Sequence, residues 1–148
     1  MPDLDAILRT AIVESPLGRL LGMQLSSAAA DRVTIRLPFR PEVTTIGDLV
    51  HGGAISALVD VTATAAAWSR ADMSRGPRGT TIGLTINYLN GARARDLQAT
   101  GTIIQRGQSI VVCEVTVDDD AGTPIARALV TYKLTHRDSP QTVGSPAM

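Results

Sequence analysis

The sequence predicts an α+β domain: a strongly curved antiparallel sheet of five to six strands wrapped around one long central helix, with a helical segment at the N-terminus. Two observations predict it. The stretch from about Ala54 to Arg70 carries Ile55, Leu58, Val59, Val61, Trp68 and a run of alanines with no broad polar face, so the helix it forms has to be enclosed by protein. Beyond Gly79 the pattern turns wholly to apolar/polar alternation, the period of strands. A single sheet curling round the helix is the simplest way to cover both.

The elements follow in order. Residues from about Asp3 to Ser15 place Leu4, Ile7, Leu8 and Ile12 on one face of an amphipathic helix. Ser15-Pro16 then opens a second short helical turn, with Pro at its first position, and the two together are expected to lie as a lid over the sheet. Met23 to Ala29 and Arg32 to Phe39 read as paired strands, because Val33, Ile35, Leu37 and Phe39 alternate with polar neighbours. Residues 40 to 52 are a loop before the long helix, and a Gly/Pro/Arg segment from Arg70 to Gly79 follows it. Four strands then run over Thr80 to Leu89, Asp96 to Arg106, Ser109 to Asp118 and Gly122 to Thr135, with Gly and Asp at the hairpin turns between the last three. Residues 1–136 make one domain and 137–148, rich in Ser, Pro and Gly, a flexible tail.

The most informative stretch is Thr45-Ile-Gly-Asp-Leu-Val-His51-Gly52-Gly53, which brings two glycine amides to the start of the long helix. A helix start leaves N–H groups without intrahelical partners and carries partial positive charge, so a polarised or anionic oxygen is stabilised there. Further along, Ser56, Asp60 and Thr64 fall at i, i+4 and i+8, one narrow polar seam. Burying a carboxylate is unfavourable by several kcal/mol unless it is partnered, so Asp60 has either a structural partner or a use. Gly52 and Asp60 are eight positions apart, roughly 12 Å along the axis. One chain therefore cannot bring both to a single carbonyl, whereas two antiparallel copies of the helix about a twofold axis can, which predicts a homodimer with two shared sites.

Composition excludes several classes. With 148 residues and a formal net charge of zero, the chain lacks the Lys/Arg surplus that nucleic-acid binding relies on. Cys113 is the single cysteine, which rules out an internal disulfide, and two distant histidines, His51 and His136, make no metal site; Cys113 and His136 read as structural. The long helix is too short, and too interrupted by Asp60, for a membrane span. The acidic start Met1-Pro-Asp-Leu-Asp has no apolar signal region, so a cytoplasmic location is expected.

Three segments in order, His51-Gly52-Gly53 with Asp60 eight residues after Gly52, Thr81-Ile-Gly-Leu-Thr-Ile-Asn-Tyr-Leu, and Gly107-Gln-Ser-Ile-Val-Val-Cys-Glu-Val with the closing Ala126-Arg-Ala-Leu-Val-Thr-Tyr, resemble the hotdog-fold acyl-CoA thioesterases. The likeness covers roughly Leu17 to Leu134 and is to the branch of the phenylacetate-pathway (PaaI-like) and 4-hydroxybenzoyl-CoA thioesterases with an HGG motif. The resemblance implies hydrolysis of an acyl-CoA thioester without a separate cofactor, CoA being part of the substrate. It implies that the Gly52 amide polarises the carbonyl, that Asp60 of the partner subunit activates water or attacks the carbonyl directly, and that Thr64 assists. Substrate contacts are expected from Thr45, His51, Gly53, Thr81, Asn90, Arg106 and Ser109, the last two near the family's nucleotide-binding turn. Arg70, Arg75 and Arg78 are further candidates for the phosphates of CoA. Thr45 stands seven residues before Gly52, where relatives carry Asn or Gln, a departure that leaves a non-catalytic acyl-CoA-binding module as the alternative. A homodimer, pairing further into a homotetramer, is the expected assembly.

Overall fold

The computed structural model describes residues 3–137; positions 138–148, and with them all but the first residue of the expected tail, lie outside the described residues. Twelve elements build one six-stranded antiparallel sheet and a central helix. The N-terminal segment is α1 (Leu4–Leu8) continuing through a single wide turn, Arg9–Val13, whose Glu14 N–H reaches back to the Arg9 carbonyl. Leu8 and Ile12 of the predicted apolar face are buried, and Val13 joins them, so this segment docks into the core. α2 (Pro16–Leu21) follows and stops at Gly22, whose φ of 79° is the left-handed conformation that terminates helices.

The strands are β1 (Gln24–Ala29), β2 (Arg32–Leu37), β3 (Pro77–Tyr88), β4 (Leu97–Arg106), β5 (Ile110–Asp119) and β6 (Pro124–His136), in the spatial order β1-β2-β4-β5-β6-β3. The long helix α3 (Gly52–Trp68) lies across the inner face of this sheet. Its Leu58, Val59, Ala63 and Ala66 are fully buried in one cluster with Val33, Ile35, Ala99, Val115, Val117 and Val130 of the strands. The buried Thr62 hydroxyl is satisfied by donating to the Leu58 carbonyl at 2.7 Å. Helix and sheet approach closely at Gly101 of β4, where a Cβ would stand 3.1 Å from Thr62 Cγ2 and 3.2 Å from the Thr62 carbonyl oxygen.

Two boundaries differ from the expected ones for physical reasons. α3 begins at Gly52, two residues before the apolar run, because His51 caps it: the Ala54 and Ile55 amides both donate to the His51 carbonyl. β3 begins at Pro77, inside the segment read as a loop. It is an edge strand, and proline is tolerated at the first residue of a strand.

Candidate active site

α3 is enclosed everywhere except along one strip. Gly53 is exposed at the helix start and Gly52, Ser56, Ala57, Asp60, Val61, Thr64 and Trp68 keep partial exposure, while the rest of the helix is buried. The polar seam is therefore not sealed in the core. Its start is shaped by the N-cap: His51 Nδ1 accepts the Gly53 N–H at 2.7 Å, which fixes the imidazole with Nδ1 unprotonated. Of the two glycine amides expected at this end, one is thus already used. Among the described residues the Gly52 N–H has no acceptor, and it carries the positive end of the helix dipole.

Tyr88, at the end of β3, packs beside Gly52. Its hydroxyl donates to the Gly52 carbonyl at 3.0 Å and receives the Ser56 hydroxyl. Its ring would be 3.6 Å from a Cβ at position 52. Two turns along α3, Asp60 Oδ1 accepts the Thr81 hydroxyl at 2.6 Å. The residue expected to serve as base and one of the expected threonines are thereby brought together from α3 and β3. Behind them Tyr132 of β6 is buried, and its hydroxyl accepts from Trp68 Nε1 at 2.7 Å. Burial pushes the Tyr132 phenol up, and the nearby Asp60 carboxylate adds to that shift. The tyrosine thus stays neutral.

The other expected residues separate into two groups. Thr64 lies one turn beyond Asp60 on the same strip. Thr45 is exposed in the loop before α3, where its backbone closes a turn with Leu49. Asn90 ties the end of β3 to β6 by donating to the Pro124 carbonyl at 2.8 Å. Arg106 and Ser109 sit at the opposite end of α3 from Gly52. There the Arg106 guanidinium donates to the Ala66 and Ala67 carbonyls and pairs with Asp31 at 2.9 Å, so the structure places it as a cap of the helix C-terminus. Ser109 offers its backbone carbonyl to Leu134 N–H in the β4–β5 turn. Arg70, at the same end, pairs with Asp31 at 3.4 Å.

Tyr88 is the residue that sequence reasoning missed. Strict alternation puts positions 81 and 88 on opposite faces of a strand, but the register of β3 against β6 shifts between Thr81 and Gly83. That bulge restores both side chains to the inner face, with Thr81 opposite Tyr132 and Tyr88 opposite Ala126. Among the described residues no three His, Cys, Asp or Glu side chains gather as a metal-ligand set, and no helix is long and apolar enough to cross a membrane.

Comparison with known proteins agrees with this architecture. Rv1847 of Mycobacterium tuberculosis is 27% identical over 131 residues, covering 87% of this chain and 91% of its own length. The medium/long-chain acyl-CoA thioesterase YigI of Escherichia coli is 26% identical over 136 residues, covering 82% of this chain and 86% of that protein. The crystal structure of a variant of thioesterase PA1618 from Pseudomonas aeruginosa shares the fold with a TM-score of 0.81 at 24% identity, covering 92% of this chain and 96% of that one. The family profile described as Thioesterase superfamily matches residues 47–126, from the loop before α3 through the start of β6, so the chain belongs to the Thioesterase superfamily and has its hotdog fold.

Proposed function

We propose that the protein hydrolyses acyl-CoA thioesters at two sites, each shared between two copies of the chain. The observation that carries the reading is that one exposed strip of α3 holds a Gly52 amide without an acceptor and, two turns away, a carboxylate oriented by Thr81. At roughly 12 Å apart the two cannot serve one carbonyl within a chain. Edge strand β3 supports the pairing. It is twelve residues long, its outer side is unpaired, and Ile82 and Leu84 are exposed on it, with its one charged residue, Arg78, confined to the start of the strand. Two copies joined edge to edge through β3 bring their α3 helices side by side and antiparallel, so the Gly52 end of one faces Asp60 of the other. Ile110 of β5 and Leu129 of β6, exposed on neighbouring strands of the sheet, support a further pairing of dimers into a tetramer.

The chemistry follows from these groups. The thioester carbonyl oxygen accepts the Gly52 N–H, and charge developing on it is stabilised by that donor and by the helix start. Asp60 takes a proton from a water molecule, whose oxygen adds to the carbonyl carbon. The tetrahedral intermediate collapses with cleavage of the C–S bond, and the proton held by Asp60 passes to the leaving thiolate, giving the free acid and CoA. Thr81 holds one carboxylate oxygen, which leaves the other to face the water. The reaction needs no separate cofactor. The name of YigI supports acyl-CoA as the substrate class.

Complementation tests the shared site. Asp60→Asn and Gly52→Pro homodimers are each expected to be inactive. Mixed by coexpression, they form heterodimers in which one of two sites is intact, so about a quarter of wild-type activity returns. A mixture as inactive as either parent refutes the shared site, and full activity of the Asp60→Asn homodimer refutes the assigned base.

A further inference from the structure

A groove of about 310 Å³ runs between α2, the 41–43 turn and the first two turns of α3, on the flank of the exposed strip. We propose that it holds the acyl chain of the substrate, that the chain it fits is an unbranched aliphatic one of medium length, and that Leu17, Leu21 and Ala57 set that length. This rests on the reading of the protein as a thioesterase.

Position comes first. His51 and Gly53, the neighbours of the proposed oxyanion donor Gly52, line the groove. A thioester whose carbonyl oxygen meets the Gly52 N–H thus has its carbon substituents at the groove's mouth. One of the two arms of the thioester enters. The pantetheine arm carries two amides that lose free energy if buried without partners. Beside His51 and Gly53 the walls are Leu17, Leu21, Val43, Ala54 and Ala57, with Glu42 and Thr44 as the other polar members, so the mainly aliphatic lining matches the acyl arm.

The lining also selects among acyl groups. The chain has one Trp, two Tyr and one Phe, and none of the four lines the groove. An aryl group would find no ring to pack against. A groove of about 310 Å³ is on the scale of a medium-length acyl chain, on the order of ten carbon atoms, as in octanoyl or decanoyl.

α2 behaves as a wall awaiting a ligand. Gly18 is its one buried residue, while of the two leucines that line the groove Leu17 is 50% exposed and Leu21 is partly buried. The helix is nevertheless pinned at both ends. Gly18 lies so close to the Val13 carbonyl that a Cβ would fall 1.8 Å from the oxygen, and Arg40 donates to the Leu20 carbonyl. Two leucines held in place beside an open apolar groove gain contact area when a hydrocarbon fills it.

The test is the chain-length profile of kcat/KM from acetyl-CoA to palmitoyl-CoA for wild type, Ala57→Leu and Leu17→Glu. Ala57→Leu fills the groove and Leu17→Glu puts a charge on its half-exposed wall. Each is expected to lower kcat/KM for decanoyl-CoA at least about tenfold, with acetyl-CoA changed by no more than about twofold. Profiles that keep the wild-type shape, or that fall equally for both substrates, overturn the proposal. If Ala57→Leu fails to fold, Leu17→Glu decides alone, since its site is at the surface. Should wild type hydrolyse no acyl-CoA, the thioesterase reading fails while the groove stays testable by calorimetry with the thioether S-decyl-CoA. Binding that Leu17→Glu abolishes supports the groove; no binding, or binding that the variant leaves unchanged, overturns it.

Discussion

Gly52→Pro removes a single hydrogen-bond donor from the candidate site with little else disturbed. Gly52 is the first residue of α3, the helical position where proline's fixed φ and missing N–H are accepted. The preceding residue has to be extended before a proline, and His51 already is, at φ −65° and ψ 132°. A Cβ at position 52 meets the Tyr88 ring at 3.6 Å, an ordinary contact, and the N–H that is lost has no acceptor within the chain. Folding stability is therefore expected to hold or rise by about 0.4–1 kcal/mol, since the unfolded chain loses freedom. Activity is expected to fall on the order of a hundredfold to a thousandfold in kcat, about 3–4 kcal/mol, the usual effect of deleting one oxyanion donor. Gly52→Ala is the control, because it keeps the N–H and adds the same Cβ. Steady-state release of CoA, followed with a thiol reagent, and thermal denaturation by circular dichroism measure the two effects on the same samples. A Gly52→Pro enzyme that folds normally and works within about threefold of Gly52→Ala refutes the role of this amide in stabilising charge.

Three other outcomes follow from groups away from that amide. Arg106→Met leaves Asp31 with Arg70 alone and uncaps the Ala67 carbonyl, while the Ala66 carbonyl keeps the Ser69 hydroxyl, so chemical denaturation should show a loss of about 2 kcal/mol while KM for acyl-CoA stays unchanged. A large rise in KM without loss of stability would instead make Arg106 a substrate contact. Burial pushes the Cys113 thiol up to about 12, so iodoacetamide should leave the native protein unmodified near neutral pH and label it fully in denaturant; labelling of folded protein, read by mass spectrometry, contradicts that burial. The Phe39 N–H, at 2.7 Å, and the Arg36 guanidinium hold the Asp96 carboxyl below its usual range, so its stabilisation is present above the unfolded-state pKa and lost as pH falls through the folded value. Asp96→Asn should therefore be less stable than wild type by about 1 kcal/mol at neutral pH, and the gap should close in acid; a gap independent of pH refutes the assignment.

The elements whose periodicity is local were legible in the sequence. The alternation of Val33, Ile35 and Leu37 marked β2, and the apolar run after Ala54 marked α3, because burial on one face or all round imprints directly on residue order. The ends were less legible: Gly52 and Gly53 are poor helix formers and are held in the helix by the His51 cap, a contact between a side chain and the backbone. In the site, Asp60 and Thr81 were both named by resemblance, yet their bond joins residues twenty-one positions apart and has no local signature. The bulge at Ile82 hid Tyr88, because a strand that changes phase breaks the rule by which faces are assigned. Arg106 is expected to contact the ligand, and its bond to the helix end is illegible in the sequence for a related reason. What it caps, the end of α3, is thirty-nine residues away in sequence and adjacent only once β4 has folded beneath the helix.

Gly101 sets the depth to which α3 sinks into the sheet, like a missing shim under a beam. With a methyl group there, the tight contacts are the Thr62 side chain, the Cys113 sulfur and the Thr62 carbonyl, and the last belongs to the helix backbone, so relief requires the whole rod to rise by a few tenths of an ångström. Asp60 would rise with it while Thr81, anchored in β3, stays behind. A residue far from any substrate thereby tunes the alignment of the acid from underneath, and relatives that differ at this floor position can differ in rate with every reacting group conserved.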